Sequence, residues 1–326
     1  MLSNLARPRI PQYLDSRFPA TRMAGAVRLA AVALLLGSLS MVTACGSGSA
    51  GDNDATIDAG ATETNTGTDT GTTQPSGGTA TPGTSGIPAG AAFSCDFSNG
   101  WQSCGFFEQA KALPRATLVT VAGVNAVRLH TEPGDNNVNG SGDHERNDLT
   151  SSQVTTDGYE GREHWWAHSV LFPNDYAELP ESTSTWNFGL VANFHNTTSG
   201  AGQANFQVNA MPATAISPDR PTGLSFQVAY GNQTSPTKVN YPIGPIVKNQ
   251  WYNFVYRVKW SSGSDGYFDA WVNGVQRMSY RGPTLYSGQG VYLKLANYHT
   301  AVGLPSSVIH ARVIRSVAPL SVSDGL

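Results

Sequence analysis

Residues 93–326 predict an all-β fold of two stacked antiparallel sheets, and three observations carry that prediction. Apolar residues come in short runs broken by Gly, Pro, Asn and Ser, with no long stripe of helical period. The run from Trp251 to Trp260 alternates, with Tyr252, Phe254, Tyr256, Val258 and Trp260 on one face and Asn253, Arg257 and Lys259 on the other. Asn273-Gly274 joins two apolar runs, 267–272 and 275–278, which is the strongest short-range hairpin signal. Further strands are expected near 117–121, 126–130, 165–172, 186–195, 203–209, 224–230, 291–297 and 308–315, with few helices. So many short strands in one domain fit a jelly roll or concanavalin A-like sandwich.

The chain ahead of this domain reads as an address and a tether. Residues 1–44 hold five basic side chains (Arg7, Arg9, Arg17, Arg22, Arg28) and one acid, Asp15. Arg28 precedes an apolar run over 29–37, which leads through Val42-Thr43-Ala44 to Cys45. A charged start, a short apolar stretch and small residues at its end describe a secretory signal, too short to stay as a membrane span. Val-Thr-Ala-Cys resembles the bacterial lipobox, so Cys45 is expected to carry lipid and to become the N-terminus. The protein would then be held at the bacterial cell envelope, in the periplasm or on the outer surface, by acyl chains alone. Met23 stands where such a signal normally begins and is the expected true start.

Residues 45–92 carry five acids, no Lys or Arg, and no aromatic residue before Phe93. Such Gly-, Thr-, Ser- and Asp-rich sequence cannot bury a core, so it is a flexible tether. As a random coil it spans roughly 40 Å on average. With Cys45 taken by lipid, Cys95 and Cys104 remain as one pair, expected as a disulfide in an oxidising compartment. The loop it closes is short, so its stabilisation is modest.

Residues 93–326 hold 15 basic and 17 acidic side chains and all seven Trp. That balance excludes a basic nucleic-acid binder and an acidic disordered chain, and two cysteines are too few for a disulfide-rich miniprotein. A monomer is expected.

Three constellations are candidates for chemistry. In Gly142-Asp-His-Glu-Arg-Asn-Asp-Leu149, five of eight residues are charged or titratable. A solvated loop explains this blandly; alternatively Arg146 enters a cleft while Asp148 fixes its guanidinium as a fork for a carboxylate. In Trp186–His195, Asn193 and His195 share one strand face, with Phe194 opposite in the core. A lone His is usually structural, but one beside an amide presents an imidazole and a donor together. In Val291–His299, Tyr292, Lys294, Ala296 and Tyr298 share a face. The bland reading is an exposed sheet face with snorkelling side chains.

Together the three resemble the β-jelly-roll polysaccharide lyases acting on alginate, glucuronan and heparin. That family carries, in chain order, Arg-x-Glu-Leu-like, Gln-x-His and Tyr-x-Lys-x-Gly-x-Tyr segments. Here they read Arg146-Asn-Asp-Leu149, Asn193-Phe-His195 and Tyr292-Leu-Lys-Leu-Ala-Asn-Tyr298. Gly161-Arg-Glu-His-Trp-Trp, Leu171-Phe-Pro173 and the hairpin over 251–274 are similar to the same family, so the resemblance covers 93–320. Asp148 for Glu and Asn193 for Gln each shorten the arm by one methylene, and Ala296 replaces Gly.

The resemblance implies β-elimination at a uronic acid in an anionic polysaccharide. The proton beside an ionised carboxylate is barely acidic until that charge is neutralised. Arg146 and Asn193 suit that task, His195 the base and Tyr298 the acid on the leaving oxygen. Lys294, Tyr292, Asp148 and, in second rank, His144 are expected against substrate. No cofactor is required; Asp- and Asn-rich loops allow a structural calcium ion, but no ligand spacing points to one. His164 and His168 share a strand face and give at most a weak metal pair.

Two competing readings stand beside this one. A glycoside hydrolase needs a close carboxylate pair; there is no Glu-x-Asp-x-x-Glu run, and Asp265 with Asp269 reads as turn chemistry. A non-catalytic carbohydrate-binding sandwich would scatter His195, Arg146 and Tyr298 rather than gather them. Sulfated heparin demands a strongly basic groove. The mild acidity of 93–326 therefore favours a plain polyuronate such as glucuronan or alginate.

Overall fold

Among the described residues, alternating and branched side chains build fifteen strands. In chain order they begin with β1 (Ala91–Cys95), β2 (Phe107–Ala110), β3 (Ala116–Val121), β4 (Val124–Thr131) and β5 (His144–Thr150). Next come β6 (Glu163–Leu171), β7 (Gly189–Asn196), β8 (Phe206–Ala210), β9 (Leu224–Asn232) and β10 (Ser235–Gly244). The last are β11 (Trp251–Lys259), β12 (Tyr267–Val272), β13 (Val275–Arg281), β14 (Val291–Thr300) and β15 (Ser306–Ser316). The computed structural model describes residues 87–136, 138, 144–179, 187–198, 202–212 and 220–325. The signal sequence, Cys45, the tether up to 86, Gly142, Asp143 and Trp186 lie outside the described residues.

Two antiparallel sheets result, as the alternation predicts. One runs β13-β12-β11-β6-β15-β4-β3, with β1 also on β15; the other runs β10-β9-β8-β7-β14-β5-β2. Their inner faces meet in an aromatic core that includes Phe194, Phe206, Tyr256, Trp260 and Phe268. Phe206 and Phe268 stack at 4.0 Å between centroids. Asn273-Gly274 makes the expected two-residue hairpin, both residues at positive φ and Val272 facing Val275. Cys95 and Cys104 are joined, tying β1 to the 3-10 turn Trp101–Cys104.

Four strands were not expected from the sequence. β10 carries Pro236 and Pro242 and lies at a sheet edge, where missing donors are tolerated. β1 and β2 are short. The charged segment of β5 is not a solvated loop but a strand between β14 and β2, with Glu145, Asn147, Asp148 and Leu149 all buried. The outer face of β11 also differs from simple alternation. Val255 there is covered by Leu320, so only Arg257 on that face stays exposed.

His164 and His168 share the inner face of β6 without forming a metal pair. His164 Nε2 meets Asp157 at 3.1 Å, while His168 stacks on Phe254. Burial holds His168 neutral down to about 3 and His310 down to about 4. The unfolded chain protonates both near the ordinary value of about 6.5. Their contribution to stability is therefore complete above that pH and is lost as pH falls toward the two folded values. The melting temperature should drop between pH 7 and 5, and His168→Phe should shrink that drop. A melting temperature independent of pH over this range would contradict the assignment.

Candidate active site

The seven-stranded sheet gathers the predicted residues on its outer face because three neighbouring strands, β7, β14 and β5, carry one motif each. Tyr292 lies opposite His195 and Lys294 opposite Asn193 across β14–β7. Ala296 lies opposite Asp148 and Tyr298 opposite Arg146 across β14–β5. Phe194 points the other way, against Trp166 and Trp260. All three motifs thus form one elongated site along β14.

Its centre is a buried cluster of two cations and one anion. Lys294 Nζ and Arg146 Nε approach the same oxygen of Asp148, at 3.4 and 3.5 Å. The side chains of Asp148, Lys294 and Arg146 are 1%, 7% and 13% exposed. Lys294 Nζ also donates to Gln109 Oε1 at 2.7 Å, from β2. Burial pulls the Lys294 ammonium below its ordinary proton affinity, an effect Asp148 opposes. Asp148 stands beside the Arg146 guanidinium, as the motif suggests, but holds it only by charge. Arg146 Nε makes an ion pair without a hydrogen bond, and the guanidinium instead lies 3.8 Å above the Tyr298 ring. The cluster keeps one uncompensated positive charge and an unpaired amide oxygen on Asn193.

His195 stands at one end. Its Nδ1 donates to the Asn196 carbonyl at 3.0 Å, leaving Nε2 as the basic nitrogen. Burial is the main cause that pushes its proton affinity below the ordinary histidine range, and the charges of Lys294 and Arg146 add to it. Its ring stacks on Tyr292 at 5.4 Å. Burial raises the Tyr292 phenol, keeping it protonated.

Tyr298 stands at the other end, six residues along β14 from Tyr292, or roughly 20 Å of backbone. The phenol against His195 is Tyr292, and Tyr298 lies at the far end of the site. Arg146 links the two ends, touching Tyr298 and acting electrostatically on His195. His144 lies near Tyr298, at 5.9 Å between centroids, and not beside His195.

Sequence reasoning missed Gln109, Phe188 and Arg220. Phe188 sits 4.9 Å from Tyr298, with Arg220 over its ring at 5.3 Å. A bulge explains Phe188. Leu190 pairs with Asn209 but Ala192 with Val208, so β7 holds one extra residue and alternation inverts upstream of it. Without the bulge, Phe188 would share the core face with Phe194.

Among the described residues no group of three His, Cys, Asp or Glu could hold a metal ion. Asp265 accepts from Lys259 and Ser261, and Asp269 from Arg281 and Ser279, so both acids serve local structure around β11–β13.

A buried, net-positive cluster flanked by a neutral imidazole and phenols suits an acidic sugar. A glucuronan lyase from Trichoderma reesei superposes with TM-score 0.47 at 15% identity, covering 65% of this chain and 95% of that one. An alginate lyase, Aly36B, in complex with alginate trisaccharide gives 0.47 at 13%, covering 72% and 100%. Cellulose induced protein Cip1 gives 0.44 at 11%, covering 70% and 99%. None of the curated proteins matches the sequence. The profile of a family described as polysaccharide lyase matches residues 92–311, about two thirds of the chain. With that match spanning all three motifs, the chain belongs to the polysaccharide lyase family.

Proposed function

We propose that the protein cleaves a uronic-acid polymer of the glucuronan or alginate type by β-elimination. The observation that carries this reading is the buried Arg146–Asp148–Lys294 cluster, which holds one surplus positive charge beside a histidine kept neutral by burial. A carboxylate placed there completes the charge balance, and the Asn193 amide adds a donor. Neutralised in this way, the acid allows loss of the proton on its neighbouring carbon.

His195 Nε2 takes that proton. The electron pair of the broken C–H bond delocalises into the carboxyl group, then forms the new carbon–carbon double bond as the glycosidic C–O bond breaks. Tyr292, whose ring stacks on His195, gives its phenolic proton to the departing oxygen, and both groups return to their starting states by exchange with water. The sugar therefore lies over the His195 end of β14, with its carboxyl toward Lys294 and Arg146.

The cluster accommodates one carboxylate rather than a dense array of sulfates, which supports a plain polyuronate. Polyglucuronate, alginate and heparin incubated with residues 93–326 separate these substrates by the ultraviolet absorbance of unsaturated uronate ends. Signal is expected on polyglucuronate or alginate. The base works only when neutral, so activity should be lost as pH falls through the His195 value, which lies below about 6.5. Glycan binding without absorbance on any polyuronate would favour a non-catalytic binding domain.

A further inference from the structure

The two halves of the site sheet differ in charge. Crossing the strands from Lys294, the register runs Asn193, Gln207, Gln227, Asn240 on β7, β8, β9 and β10. Four amides thus stand in one straight row leading away from the cation cluster. Adjacent strands are about 4.8 Å apart, so the row extends roughly 14 Å. These four strands contain a single charged side chain, Lys238, on the edge strand β10. The charges of the cluster, Lys294, Arg146 and Asp148, lie on β14 and β5.

Several of these amides are buried and incompletely bonded. Asn193 and Gln207 are 3% and 6% exposed, and their side-chain carbonyls have no partner. Asn209, on the same face of β8, is fully buried with neither amide atom bonded, and Ser225 opposite it has an unbonded hydroxyl. Gln227 is better supplied, accepting from Gln203 and donating to Asn240. Unpaired buried amide carbonyls require donors. A sugar hydroxyl supplies a donor and an acceptor together, whereas a carboxylate is acceptor-only. A carboxylate desolvated over this row would also lack a cation to compensate it.

We infer that the β7–β10 half of the cleft binds uncharged, hydroxyl-bearing sugar units, so the preferred chain is a uronate at the cation cluster with neutral sugars extending toward β10. Gln207 is the specificity-determining residue, being the first amide beyond Asn193. This inference rests on the lyase reading for its central uronate and adds the chemistry of the neighbouring sugars.

Two probes test it: polyglucuronate and the same polymer with part of its carboxyl groups reduced to primary alcohols. The wild-type protein should show a kcat/KM per remaining uronate several-fold higher on the partly reduced polymer, and Gln207→Lys should reverse that order. An equal or lower value on the reduced polymer, or an unchanged order in Gln207→Lys of wild-type melting temperature, overturns the inference while leaving the lyase reading intact. Calorimetric binding of both polymers is read independently of turnover. If neither polymer is cleaved, the lyase reading fails, and tighter binding of the partly reduced polymer still upholds the amide half. Binding of the parent polymer as tightly or more tightly overturns it.

Discussion

His195→Ala is expected to lower kcat on a polyuronate by roughly a thousandfold, in the range found when a general base is removed. The effect should fall on kcat more than on KM, because His195 acts on the proton while Arg146, Lys294 and Asn193 hold the carboxylate. The fold should survive, since the imidazole makes one backbone hydrogen bond and one ring contact at the site surface. Tyr292→Phe should produce a loss of similar size, because its ring stacks on His195 and its phenol supplies the proton. Tyr298→Phe is the informative companion. Tyr298 lies six residues further along β14, against Arg146 and Phe188, so a rate that survives Tyr292→Phe and is lost in Tyr298→Phe would move the acid role along the strand.

Asp148→Asn should destabilise the fold by about 3 to 5 kcal/mol, the cost typical of removing one partner from a buried ion pair. The substitution preserves shape but leaves Lys294 and Arg146 buried with no anion between them. The urea midpoint should fall without a change of slope. Adding Lys294→Met should recover part of the loss, because one uncompensated cation then disappears. A single Asp148→Asn variant as stable as the wild type would show that the cations escape to water. Such an escape would weaken the claim that the cluster waits for a substrate carboxylate.

Much of this molecule was legible in the sequence because alternation is a local property. Tyr252 through Trp260 announces a strand, and Asn273-Gly274 announces its hairpin. Asn193, Phe194 and His195 sort correctly onto two faces for the same reason. The charged run at 144–149 was harder. Burial of Glu145 and Asp148 depends on partners distant in sequence, Gly134 for the first and Lys294 for the second. Phe188 was hidden by the bulge at Val191, since one extra residue inverts every assignment beyond it. Gln109 was invisible for another reason: its strand is short, and nothing in its own segment points to Lys294. The amide row had a signal that could have been found. Phe206-Gln-Val-Asn alternates apolar with amide, as does Phe226-Gln-Val, but only the register aligns the two.

In the proposed reaction a buried positive cluster and a neutral histidine perform an elimination rather than a hydrolysis. Mass spectrometry of the oligosaccharides released from polyglucuronate or alginate tests this most directly. Elimination consumes no water, so each new non-reducing end should be an unsaturated uronate one water lighter than the hydrolysis product. Fragments in water labelled with heavy oxygen should acquire no label at the cleaved bond. Saturated non-reducing ends, with one labelled oxygen on each new reducing end, would contradict the account.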